Sequence, residues 1–374
     1  MSKTRRRVVG ILAICLLVFA GGTGAQETAP ATEANGEPLL SRSVGTFPRI
    51  GSYEVLRGDF HIHTPHSDGK VPPRERVLEA WRYDYDVIAI TDHGNYNAYA
   101  EALPLARSLG MLLVRGMETG IAGKEHYVVL DITEDYQPRN PHRWAEQPDG
   151  EAVYYREQLR HVADSGGLAL YAHPHVGFRE PTEWGIAQGI IQGIEVKNAV
   201  VGSRWETIES HGTWCYPNAF DWALEHDLII FANSDIHAPR RGDNEPVTLV
   251  LVEERSEQGV MDAIRARRTF ATTGVKLCLW FFCDGHPMGS ELQLSESPKF
   301  TVNVAVPPEE GQLHTLELVR DGEVIHCFGG EGQQSRYTFA DEQPPQRDVS
   351  FYYLRVTLRD NNMAWSSPIW VKRA

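Results

Sequence analysis

Five short stretches of this 374-residue chain carry the residue types that hold metal ions. The first is HIHTPHSDGK at residues 61–70, placed right after a short alternating run, RGDFHIH. Side chains on a strand alternate between faces, so His61 and His63 point the same way. Two imidazoles on one face, with Asp68 five residues on, suit a transition metal; the alternative is a polar turn that is rich in histidine. The other four stretches are TDHG (Asp92, His93), GMETG with EHYVVL (Glu118, His126), AHPH (His173, His175) and SDIH (Asp235, His237). Five such sites in a chain of fifteen histidines make coincidence a poor explanation. His142, His161, His211, His226, His286, His314 and His326 fall in expected helices, loops or β-rich sequence and read as ordinary.

These stretches need elements to position them. From about residue 50 short apolar runs alternate with amphipathic ones. EVLRGDFHIH, YDVIAITDH, MLLVRGME, KEHYVVLDI, LALYAHPH, GIEVKN and LIIFANSDIH read as strands. PPRERVLEAWRYD, AYAEALPLARSLG, EAVYYREQLRHVADSGG, NAFDWALEHD and EQGVMDAIRARR read as helices, several with proline at the start or glycine at the end. Such alternation implies a parallel α/β architecture, as barrel or open sheet. The chemistry-bearing residues all fall at strand ends, which favours the barrel, because a barrel gathers those ends on one face. After about residue 275 the sequence alternates with period two between turn signals, which predicts a small all-β sandwich of roughly a hundred residues. The expected domains are 49–275 and 276–374. The second is expected to be a packing appendage, with contact to a glycan, a surface or the substrate as the alternative.

The N-terminus reads differently. MSKTRRR, VVGILAICLLVFA and GGTGAQ form the basic, apolar and small-residue regions of a secretory signal cleaved after Ala25. The apolar run is short for a membrane span, so export to a secreted or periplasmic location is expected, with an uncleaved anchor as the alternative. Residues 26–48 read as a flexible linker. Losing residues 1–25 takes the formal charge from −14 to −18, which gives no electrostatic case for gripping nucleic acid. Cys215, Cys278, Cys283 and Cys327 lie in the exported part, where disulfides are permitted. Cys278 and Cys283 are five apart on one strand and so face opposite ways.

HIHTPHSDG, TDHG, GMETG with EHYVVL, AHPH and SDIH, in this order, resemble the PHP (polymerase and histidinol phosphatase) family of metallohydrolases over about residues 55–275. RRTFATTG and the tail ending AWSSPIWV are similar to secreted members grouped with carbamate hydrolases. The resemblance implies a distorted (β/α)7 barrel with two or three divalent metals, zinc, manganese or iron. It implies that His61 and His63 share a first metal with Glu118 and Asp235. Glu118 would bridge to a second metal completed by His126 and His173, with His175 as an alternative ligand or a substrate contact. Asp68, His93 and His237 would hold a third. Asp235, Glu118 and His237 are the expected catalytic residues.

Asp59 and Asp92 are candidates to orient a ligand imidazole, or simply structural. Arg179, Lys197, Arg240 and Arg241 follow barrel strands and are, with His175, candidate contacts for a small anionic substrate. Phosphoester hydrolysis, monoester first, is the leading expectation. Carbamate, ester or amide hydrolysis would use the same nucleophile, with Trp81, Trp184, Trp205 and Trp214 lining a pocket. A metal-stabilised binding module is the remaining alternative.

Overall fold

Residues 47, 49, 51–121, 124–134, 136, 143–147, 153–174, 178–199, 217–240, 245–329, 334–343 and 348–374 are described by the computed structural model. The expected signal, nearly all of the linker, His142, His175, Trp205, His211, Trp214, Cys215 and Arg241 lie outside the described residues. In chain order the barrel is built from β1 (Glu54–Asp59), α1 (Pro73–Arg82), β2 (Val87–Ile90), α2 (Asn97–Ser108), β3 (Leu112–Gly120), β4 (His126–Leu130) and α3 (Tyr155–Asp164). It continues with β5 (Leu168–Ala172), α4 (Glu180–Ala187), β6 (Ile191–Asn198), α5 (Asn218–Glu225), β7 (Ile229–Asn233), β8 (Val247–Val252) and α6 (Glu257–Arg265). Proline at the first position starts α1 at no hydrogen-bond cost, and the Ser256 hydroxyl caps α6 by accepting from Gly259 N.

The strands order as β8–β1–β2–β3–β4–β5–β6–β7. The ends meet where Ala232 N of β7 donates to Thr248 Oγ1 of β8 at 2.8 Å, and a parallel bridge ties Ile62, after β1, to Ile236, after β7. The α/β barrel expectation holds, but the sheet is mixed rather than parallel. β4 runs antiparallel to both β3 and β5, because the five residues between β3 and β4 allow only a hairpin return. β8 runs antiparallel to β1. Its sequence VTLVLV carries no chemistry at its end and was not among the expected strands, and neither was α4 among the expected helices, with Pro181 and Gly185 in its eight residues.

Inside the barrel, Leu56, Phe60, Val114, Val128, Leu170, Phe231 and Val250 form one apolar cluster, with Val260 and Ile264 of α6 packed against it. β6 contributes Gly193 here, where an added Cβ would lie 2.8 Å from the Phe231 ring. The barrel is thus a packed plug, with histidines and carboxylates of the five motifs collected at its rim.

A further strand, β9 (Thr269–Thr272), pairs with β8 on one side and with Met363–Ser366 on the other. The barrel sheet therefore continues without a break into the β-rich C-terminal part. There a second sheet, built on Cys278–Cys283, Lys299–Ala305 and Gln334–Ala340, packs across it. Phe300 stacks on Phe281 at 5.5 Å and meets Tyr352 of the facing sheet at 4.7 Å, the contact of a sandwich core. Ile62, Val77 and Leu249 of the barrel share one apolar cluster with Leu279, Val302, Leu354 and Val356. Cys278, Cys283 and Cys327 are free thiols.

Candidate metal centre

The rim collects side chains from several strands. His61 and His63 follow β1, His93 follows β2, Glu118 closes β3, His173 follows β5, and Asp235 and His237 follow β7. β4 runs backwards, so its first residue, His126, sits at the same rim as the C-terminal ends of its neighbours. An antiparallel strand thereby supplies a ligand position that a parallel one would have sent to the far end.

At the deepest point, His61 Nε2 lies 3.3 Å from Glu118 Oε2 and 3.3 Å from Asp235 Oδ1. His63 Nε2 lies 3.3 and 3.1 Å from the same two oxygens. All four atoms are buried, and none makes a hydrogen bond. Buried polar groups are nearly always paired, so four convergent orphans mark a place for something that takes lone pairs from all of them. The other Glu118 oxygen, Oε1, lies 2.9 Å from His126 Nδ1 and 2.8 Å from His173 Nε2. Glu118 thus faces two ligand groups at once. A third group is shallower: Asp68 Oδ1 lies 3.3 Å from His237 Nε2, and Asp68 Oδ2 lies 3.5 Å from His93 Nε2. His63, Asp68, His93 and His237 make one metal-sized set; His61, His63 and Glu118, then His61, His173 and Asp235, then Glu118, His126 and His173 make the others. The imidazole and carboxylate donors fit divalent zinc, manganese or iron.

The charges follow from this crowding. Burial disfavours a charged His61, but Asp235, Glu195 and Glu118 outweigh it and hold the imidazolium well above the usual range. His63 is likewise raised to about 9: burial opposes, and the Asp235 and Glu118 carboxylates prevail. Burial also works against an ionised Glu118, yet the surrounding imidazoles hold its carboxyl well below the usual range. Without metal the carboxylates are neutralised by protons on the imidazoles. The outer rings differ, since burial lowers both His126 and His237.

The scaffold is specific. His173 and Asp235 have left-handed backbones (φ 29° and 52°), a conformation that costs a non-glycine residue about 1–3 kcal/mol unless its surroundings hold it. Glu195 accepts from His173 N at 2.6 Å, and Asp59 accepts from Ser234 N at 3.1 Å and Ser234 Oγ at 2.5 Å. Asp92 takes bonds from Thr64 N, Thr64 Oγ1 and Ser67 Oγ (2.7, 2.6 and 2.6 Å), which curls the loop so that Asp68 faces back to the rim. Gly69 lets that loop close: an added Cβ would lie 2.3 Å from the His63 carbonyl carbon.

Several expectations need correction. Of the two readings open for Asp59 and Asp92, the structure shows the structural one: both accept from backbone and hydroxyl groups, and Asp59 also from the Arg240 guanidinium. Arg240, expected to meet substrate, is buried: Nη2 bonds Asp59 Oδ2 at 2.5 Å, Nη1 bonds Glu245, and the guanidinium lies 4.6 Å from the Tyr85 ring centroid. Lys197 is also buried, at the end of β6, while Arg179 is exposed at the start of α4. Trp81 and Trp184 pack against the hydrophobic core. Glu195, Asn198 and Asn233 were not singled out in the sequence. The available signal was a carboxylate inside the otherwise apolar strand GIEV, where it must find partners.

Fold and rim together define a β/α barrel whose strand-end histidines and carboxylates form groups that could hold divalent metal. A profile of the PHP domain family matches residues 59–178, from Asp59 past His173. An uncharacterised protein of Chlamydia pneumoniae is 36% identical over 139 residues, covering 33% of this chain and 22% of that protein. An uncharacterised protein of Methanocaldococcus jannaschii is 26% identical over 155 residues, covering 38% of this chain and 82% of that protein. The chain spans about a fifth of the length of the chlamydial relatives (22%). Among solved structures, a Bacteroides vulgatus two-domain protein containing a predicted PHP-like metal-dependent phosphoesterase superposes with a TM-score of 0.56 at 21% identity. The match covers 88% of this chain and 99% of that one, so the likeness in fold takes in barrel and β-rich part together.

Proposed function

We propose that the PHP domain makes this chain a metal-dependent hydrolase of phosphoesters, phosphomonoesters above all. The observation that carries the reading is the convergence of His61 Nε2, His63 Nε2, Glu118 Oε2 and Asp235 Oδ1, buried and without hydrogen bonds. Bound there, divalent ions supply an activated water and polarise the electrophile. Glu118, whose two oxygens face different groups of imidazoles, would hold ions on both sides, and Asp235 would complete the set around His61 and His63. His126, whose ring burial keeps neutral, offers a lone pair without first losing a proton. The apolar plug beneath the rim excludes water from the floor of the site.

His237, half-exposed beside Asp68, stands at the solvent side, where a substrate enters. Arg179 and His175 are the proposed contacts for the substrate's anionic group, a small molecule rather than a nucleic acid. The signal-like N-terminus supports action outside the cytoplasm, and among the described residues no helix is long and apolar enough to cross a membrane. The test is phosphate release from a broad panel of phosphomonoesters and diesters by protein loaded with zinc, manganese or iron. Turnover that is lost on chelation and restored by metal supports the reading. A metal-replete protein that releases no phosphate from any of them refutes it, and turnover of carbamates or esters instead would move the chemistry to a carbonyl.

A further inference from the structure

Glu195 belongs to none of the metal-sized groups at the rim, yet it is fully buried just beneath them. Its carboxylate is saturated. Oε1 accepts from His61 Nδ1 at 2.9 Å and from Asn233 Nδ2 at 2.9 Å. Oε2 accepts from His173 N at 2.6 Å and from Asn198 Nδ2 at 2.8 Å. One side chain on β6 therefore grips the ring of a residue after β1 and the backbone of a residue after β5. An ionised carboxylate can only accept hydrogen bonds, so when the His61 ring gives up a proton to bind metal, the one it keeps is fixed at Nδ1 and the Nε2 lone pair is freed toward the space between Glu118 and Asp235. The bond from His173 N falls at a left-handed residue whose ring reaches Glu118 from the other side.

We propose that Glu195 is a positioning residue for the metal centre, setting the His61 tautomer and the His173 backbone in one interaction. The proposal rests on the reading of the rim as a metal site. It predicts more than general stabilisation, because the two oxygens have different duties. In Glu195→Gln an amide replaces one oxygen by a donor. If that donor faces His61, the ring proton moves to Nε2 and blocks the lone pair. If it faces His173, it opposes the backbone N–H and the Asn198 amide. Neither orientation preserves both contacts.

The experiment measures zinc and manganese affinity of the full chain by chelator competition, together with ring 15N shifts of His61 in the zinc-loaded protein. Glu195→Gln is expected to weaken metal binding about 10–100-fold, the usual effect of removing a partner that orients a metal-binding histidine. Wild type is expected to show His61 protonated at Nδ1. A folded variant that binds metal as wild type does overturns the proposal. So does a wild-type His61 that carries its proton on Nε2, a readout that holds even if the variant does not fold. Wild-type protein that takes up neither metal refutes the functional reading itself, an outcome distinct from a normal wild type with a normal variant.

Discussion

Arg240→Ala separates two roles for one residue. A substrate clamp would lose affinity for substrate and keep its stability. The structure places the guanidinium between Asp59 and Glu245, buried, and over the Tyr85 ring. Removing it strands two buried carboxylates, and breaking a buried pair in this way costs about 3–5 kcal/mol. With an unfolding entropy of about 2.1 cal/mol/K per residue, a chain of this size should melt roughly 4–7 °C lower. The damage has a direction, because Asp59 also holds Ser234, the residue before Asp235. Metal affinity should therefore weaken alongside stability, while KM at saturating metal stays near wild type. Burial already raises the Glu245 carboxyl, so it protonates early on acidification and the deficit of the variant narrows as pH falls. Thermal unfolding across pH, chelator competition and steady-state kinetics read the three effects. A variant with wild-type melting and a raised KM would refute the buried-network account and restore Arg240 as a clamp.

Four other outcomes follow from the rim. Asp68→Ala should remove one metal equivalent, whereas Glu118→Ala should remove at least two, read by elemental analysis; equal losses would mean that Glu118 is not shared. Metal affinity should still be rising with pH as the His63 imidazolium deprotonates near 9, because that ring and the His61 ring, also raised well above the usual range, must lose a proton before binding. In the metal-free protein, His63 has a folded-state pKa of about 9 against 6.5, so its stabilisation is complete below 6.5 and is lost as pH rises through 9; melting temperatures with and without metal should diverge over that window. Gly69→Ala drives a methyl into the His63 backbone and should cost roughly 1–3 kcal/mol together with the Asp68-dependent metal, checked by unfolding and metal content.

Much of the site was legible in the sequence because metal-binding side chains are scarce and recur at strand ends. His61, His63, Asp68, His93, Glu118, His126, His173, Asp235 and His237 were all named from motif and order, and the structure brings them to one rim. The alternation of apolar and amphipathic runs was equally direct, since strand and helix impose different periods on the buried face. Less legible was whatever has no motif. VTLVLV is a plain apolar run, and α4 is interrupted by proline and glycine, so neither left a clear period. Arg240 read as a clamp because a free arginine and a buried one look alike until Asp59 and Glu245 are seen around it.

By itself, then, the sequence determined which side chains could hold metal and that a barrel gathers them, because side-chain type and strand-end position are local properties. Direction and depth were decided only by the tertiary structure. The reversed β4 puts His126 at the rim, the continuous β9 pairing joins barrel and sandwich, and Glu195 is tied to His61 and His173 from below. Each depends on contacts between segments far apart in the chain, where burial turns an ordinary carboxylate into one that must be fully bonded.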